Sequence, residues 1–115
     1  MDRIHILSVV AIYCFLSGPM VVAPPSCRQI IPELVPCVPF FMGLVLQPSI
    51  LCCTGVRVIK EMGKTTEDRV AICNCAKEIL TRLVLYDPKQ FPLLDKRCGI
   101  DLNYPPISKD FDCKK

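Results

Sequence analysis

The chain lacks tryptophan, carries five glycines in 115 residues and holds a single histidine, His5. The shortage of histidine closes off a class of function. His5 lies in a segment expected to be removed, and a processed chain without histidine cannot run Ser–His or Cys–His chemistry or hold a histidine-ligated metal. With 14 Lys and Arg against 11 Asp and Glu, the net charge is +3, well short of the dense basic surface that nucleic-acid binding needs. A length of 115 residues allows one small domain.

Apolar residues are concentrated first at the N-terminus. Arg3 precedes the mostly apolar stretch Ile4 to Leu16, which is too short to span a bilayer comfortably. Ser17-Gly18-Pro19 breaks that stretch, and Val21-Val22-Ala23 presents small residues around a cleavage position. The expectation is a signal peptide over residues 1–23 and a domain over 24–115; the alternative is an uncleaved anchor. Beyond this segment there is neither a second run of spanning length nor the hydrophobic tail that a C-terminal lipid anchor requires. The processed product is therefore expected to be soluble and secreted.

Cys14 would leave with the signal, so eight of the nine cysteines remain: Cys27, Cys37, Cys52, Cys53, Cys73, Cys75, Cys98 and Cys113. An even number in a small secreted chain is the setting in which disulfides hold together a core too small to hold itself. Eight cysteines allow 105 pairings, and spacing alone does not choose among them. On a helix, Cys73 and Cys75 would point about 200° apart, and Cys52 and Cys53 about 100° apart, so each member of a pair reaches a different neighbour. A zinc site is the competing reading, disfavoured by the absence of a C-x2-C pair and by an oxidising compartment.

The order C-x9-C-x14-CC-x19-C-x-C-x22-C-x14-C resembles the frame of the plant non-specific lipid-transfer proteins, type 1, in the prolamin superfamily. The likeness covers the whole processed chain. Asn74 between Cys73 and Cys75 is similar to type 1, and Thr65-Thr66-Glu67-Asp68-Arg69 matches the family's T-x-x-D-R pattern. Tyr104, six residues after Cys98, matches the tyrosine of its P-Y-x-I-S pattern. The resemblance implies an all-α, right-handed superhelical bundle of four helices with a long C-terminal tail and an internal apolar tunnel. It also implies the disulfides Cys27–Cys75, Cys37–Cys52, Cys53–Cys98 and Cys73–Cys113, and head-group contacts from Arg69 and Tyr104. For Arg69 the plainer alternative is a surface salt bridge to Asp68 or Glu33.

Periodicity supports four helices independently. Ile72, Ala76, Ile79 and Leu83 form an apolar stripe on a helix capped by Thr65 or Thr66 and ended by Tyr86-Asp87-Pro88. A second helix should run from Ser49 to Met62, with Val56 and Ile59 inward and Gly63 as its stop. A first helix, Arg28 to Met42, should kink or start late at Pro32, and Pro36 removes another donor. A short helix over Lys89 to Arg97 precedes an irregular tail. The tunnel would be lined by Leu34, Val38, Val56, Ile59, Ile72, Ala76, Ile79, Leu83, Ile100, Leu102 and Ile107. The alternative is that these residues simply pack against one another.

The function implied is a secreted, non-enzymatic carrier of acyl lipids, fatty acids and phospholipids, between membranes or to the cell wall, monomeric and without cofactor or metal. Two alternatives share the cysteine frame: a protease or amylase inhibitor, and a membrane-active defence protein. The chain departs from the family pattern in two places. Asn103 replaces the proline before Tyr104, with one extra residue before Ile107-Ser108, and Phe41 to Leu46 is an apolar run where the family has a polar loop. That run is expected either to touch a membrane, lipid or partner, or to pack on the first helix.

Overall fold

The computed structural model describes residues 23–114, so the expected signal peptide lies outside the described residues except for Ala23. All regular structure among them is helical. Helix α1 (Cys27–Leu34) passes through a 3-10 turn (Val35–Cys37) into a short α2 (Val38–Phe41), the three forming one rod. Helices α3 (Ile50–Met62), α4 (Thr66–Leu80) and α5 (Gln90–Cys98) follow, and residues 99–114 wrap back over the bundle without regular structure. Counting the rod as one, the architecture is the four-helix bundle with a long tail that the sequence implied.

The four disulfides join Cys27 to Cys75, Cys37 to Cys52, Cys53 to Cys98 and Cys73 to Cys113. Each links two different segments: the rod to α4, the rod to α3, α3 to α5, and α4 to the tail. Separations of 15 to 48 residues mean each closure removes unfolded-state freedom, about 3–4 kcal/mol apiece in the chain-entropy account.

Local chemistry explains the helix boundaries. The Ser49 hydroxyl accepts the Cys52 N–H at 3.0 Å and caps α3, which stops at Gly63. Thr65 and Asp68 cap α4 reciprocally: the Asp68 N–H donates to the Thr65 hydroxyl at 3.0 Å, and the Thr65 N–H donates to the Asp68 carboxylate at 3.2 Å. Helix α5 closes on Gly99 at φ +66°, the left-handed conformation that glycine adopts without strain.

Two expected boundaries are corrected. The first helix does not start late at Pro32, which lies inside α1 with its ring exposed. The missing donor would have served the carbonyl of Arg28, an exposed position where water can bond instead. The change of winding falls at Pro36, inside the 3-10 turn, while Pro39 occupies the first turn of α2, where a missing N–H costs nothing. Helix α4 ends at Leu80 rather than near Tyr86. Past Leu80 the chain tightens into turns, the Arg82 N–H donating to the Ile79 carbonyl at 3.3 Å and the Leu83 N–H to the Leu80 carbonyl at 3.0 Å.

Helices α1 and α3 cross closely because residue 55 is glycine: a Cβ there would run into the Glu33 carbonyl oxygen. The crossing lets Ile30, Leu34, Val56 and Ile59 meet Ile72, Ala76 and Leu80 of α4 in one cluster. Aromatic rings continue that core. Phe41 stacks on Phe91 (centroids 5.6 Å apart, planes 8° apart), Tyr86 stands edge-on to Phe41 and Tyr104 edge-on to Phe91. Phe41 therefore closes α2 as a fully buried side chain, within the expected first helix and apart from the exposed residues of the apolar run that follows.

Candidate functional site

Arg69 lies one turn into α4, after the capping box, and Tyr104 lies in the tail; folding brings them into contact. The guanidinium carbon is 4.4 Å from the centre of the Tyr104 ring, a cation–π arrangement. Arg69 Nη2 also donates to the backbone carbonyls of Leu102 at 2.8 Å and Asn103 at 3.1 Å. Arg69 thus makes no salt bridge with Asp68 or Glu33; the one ion pair among the described residues joins Arg82 to Glu78. Asp68 is engaged in the cap.

A third residue completes the arrangement. Asp95, on α5, accepts the N–H groups of Leu102 at 3.1 Å and Asn103 at 3.3 Å through one carboxylate oxygen. Its other oxygen is buried without a partner. Burial raises the Asp95 carboxyl above its ordinary pKa, against the lowering effect of the two backbone donors and Arg69. The amides and carbonyls of residues 102 and 103 are therefore held by a carboxylate and a guanidinium respectively. Asn103 takes φ +57° in this clamp, a conformation closed to proline, and donates the N–H that proline lacks. The departure from the family's pattern at this position follows from the local backbone.

The clamp aims Tyr104 inward. The residue is 8% exposed, and its hydroxyl donates a long 3.4 Å hydrogen bond to the Arg69 carbonyl. Burial raises its pKa, partly offset by Arg69. Tyr86 fixes the tail further on, its hydroxyl donating to the Ile107 carbonyl at 2.8 Å, with burial raising its pKa too. Lys77 donates to the Phe111 carbonyl at 2.6 Å, just before the Cys73–Cys113 bridge.

Beside Arg69 and Tyr104 lies a cavity of about 330 Å³, bounded by Thr66, Val70 and Cys73 of α4 and by Pro105 and Phe111 of the tail. Its floor includes Cys73 and Tyr104, both members of the buried apolar cluster.

Of the eleven residues named for a tunnel, Leu34, Val56, Ile59, Ile72, Ala76, Leu102 and Ile107 are buried together in that cluster. Ile79, Leu83 and Ile100 pack against it half-buried, and Val38 stands apart from it, half-buried on α2. Phe40, Phe41, Phe91 and Leu94 share the same interior and were not anticipated. For Phe91 and Leu94 a signal existed, since they fall three apart in a helical segment. Asp95 had none, because its role arises only when the tail folds back on α5.

The sequence profile of the family described as protease inhibitor/seed storage/LTP matches residues 27–113. A non-specific lipid-transfer protein of Ambrosia artemisiifolia is 43% identical over 118 residues, covering 100% of this chain and 98% of its own. Among solved structures, barley non-specific lipid transfer protein 1 in complex with a lysophosphatidylcholine superposes with a TM-score of 0.70 at 28% identity, over 79% of this chain and 98% of that one. The wheat protein complexed with two molecules of phospholipid gives 0.67 at 28% identity, over 78% and 98%.

Proposed function

Since the chain belongs to the non-specific lipid-transfer proteins of the protease inhibitor/seed storage/LTP family, we propose that it binds acyl lipids and carries them between membranes or to the cell wall. The observation that supports this most directly is the Arg69–Tyr104 contact beside a cavity floored by the apolar core. The carboxylate or phosphate of a lipid is bound at this mouth, and its acyl chain runs from there inward among the residues named for a tunnel. The solved barley and wheat relatives hold a lysophospholipid and phospholipids.

Arginine carries five N–H donors, and the Leu102 and Asn103 carbonyls use only those on Nη2. The donors on Nε and Nη1 are left for an anionic head group, which guanidinium binds in a charge-assisted fork. The chain beyond the head group is recognised by burial at about 0.8 kcal/mol per CH2, which gives affinity with little selectivity for its length or branching. In this reading the protein is a carrier with no reaction of its own. It is processed after Ala23 and acts as a monomer outside the cell, touching membranes transiently.

The test is displacement of a fluorescent fatty acid from the oxidised protein, compared with Arg69→Ala and Tyr104→Phe. Saturable binding, weakened about tenfold by Arg69→Ala and less by Tyr104→Phe, is the expected result. Correctly disulfide-bonded protein that binds no fatty acid or lysophospholipid would overturn the reading.

A further inference from the structure

One end of the molecule is built for an apolar surface. From Leu34 to Val56 the sequence runs 23 residues without an Asp, Glu, Lys, Arg or His. The centre of that stretch is the loop from Met42 to Ser49 between α2 and α3, in which Leu44 is 63% and Leu46 84% exposed. The first turn of α3 adds Ile50 at 86% and Leu51 at 70%. A second loop, after α4, carries Val84 at 93% exposed beside Leu85. The second loop is tied to the end of α2, from which the first loop departs: the Asp87 N–H donates to the Phe41 carbonyl at 3.4 Å, Gln90 Nε2 of α5 donates to the Phe40 carbonyl at 3.0 Å, and Tyr86 stands against Phe41.

We infer that these two loops form the surface on which the protein docks to a phospholipid bilayer, with Leu44 and Leu46 of the first loop, Ile50 and Leu51 of the helix turn that follows it, and Val84 and Leu85 of the second loop entering the interface. The inference rests on the carrier reading in one respect: a cargo drawn from membranes has to be collected there. The rest rests on the surface itself. Large apolar side chains gathered in this way exceed the singly scattered ones normal on a soluble protein. They project from loops and a helix start, a convex form that suits insertion into a fluid interface.

Part of the backbone in this region is already paired within the chain. In the loop, the N–H groups of Met42, Gly43 and Leu44 donate to the carbonyls of Val38, Phe40 and Pro39, and Pro48 has no N–H to satisfy. At the start of α3, the Cys52 and Cys53 N–H groups are taken by the Ser49 hydroxyl and carbonyl, and the Thr54 hydroxyl donates to the Ile50 carbonyl. Gly43, at φ +71°, turns the chain where a Cβ would meet no atom within 4 Å. The uncharged stretch also avoids the penalty of bringing an ionised side chain into hydrocarbon.

Flotation with phosphatidylcholine vesicles tests this on the oxidised protein as secreted from the full-length coding sequence. Wild type is expected to float with the vesicles and to do so equally in high salt, because apolar insertion is not screened. Leu46→Ser/Ile50→Ser/Leu51→Ser should weaken vesicle binding about tenfold or more, and Val84→Ser/Leu85→Ser by a smaller factor. Vesicle binding unchanged in both variants would overturn the inference, as would absence of flotation by wild type or its abolition by salt. A dimer in solution that the same substitutions dissolve would also overturn it, by assigning the patch to a second copy. Fatty-acid displacement without vesicles separates this result from the carrier reading. Both variants should bind the soluble probe like wild type, and a wild type that floats yet binds no fatty acid would sink the carrier reading alone.

Discussion

Asp95 and Arg69 hold the same two residues of the tail, Asp95 by their amides and Arg69 by their carbonyls, without pairing with each other. A carboxylate on α5 and a guanidinium on α4 are thereby connected through backbone. The tail acts as the third member of a polar chain that crosses from one helix to the other.

The acid behaviour of this clamp follows from the raised pKa of Asp95, whose leading cause is burial. A carboxyl that holds its proton more tightly in the folded than in the unfolded chain contributes stability at low pH. That contribution is lost as pH rises from the ordinary carboxylate value, about 3.9, through the folded value. Asp95→Asn removes the titration while keeping an oxygen for the two amides. The melting temperature of wild type relative to Asp95→Asn should therefore fall as pH rises above the ordinary carboxylate value; a difference constant with pH would contradict the assignment.

Restoring the family's proline at position 103 should be harmful. Asn103→Pro meets a backbone at φ +57° and removes the N–H given to Asp95. A loss of about 3 kcal/mol or more is expected in chemical denaturation, with Asn103→Gly within about 1 kcal/mol of wild type. Equal stability of the proline variant would mean that the tail does not hold this conformation.

The α1–α3 crossing depends on the absence of a side chain at position 55. Gly55→Ala drives a methyl group into the Glu33 carbonyl, and backbone cannot step aside as a side chain can. Despite the better helix propensity of alanine, a net loss of about 1–3 kcal/mol is expected in equilibrium unfolding. A stabilised variant would show that the crossing is looser than described.

Phe91 links the aromatic rings to the site, touching Phe41 on one side and Tyr104 on the other. Phe91→Ala should cost about 3–5 kcal/mol and leave space beneath Tyr104. Under the carrier reading that space admits bulkier hydrophobic probes, so a gain in their binding at reduced stability is the result to look for. Denaturation and probe titration on the same preparation give both numbers.

Features encoded over a few residues were legible from the sequence. Ser49, Thr65 and the stop at Gly63 act within one helical turn, and each stands where the pattern put it. The cysteine frame was readable through its likeness to a family, not through geometry. Interactions across long separations were not legible. Asp95 looks like an ordinary helix-surface carboxylate until the tail returns to it, and nothing near Phe41 in the sequence announces Phe91, fifty residues later, as the ring that stacks on it. Pro32 misled because a proline inside a helix is costly only when the carbonyl it strands is deprived of water.

The four cross-links overlap along the chain, since Cys27–Cys75 and Cys73–Cys113 together span every peptide bond from 27 to 113. A protease that cuts once within that span, even in the exposed loop around Leu46, releases no fragment. The two pieces stay one molecule of nearly unchanged mass and separate only after reduction. Nicking and loss of structure are thus uncoupled here: the molecule can be scarred at a loop and still keep its ends bound to its centre.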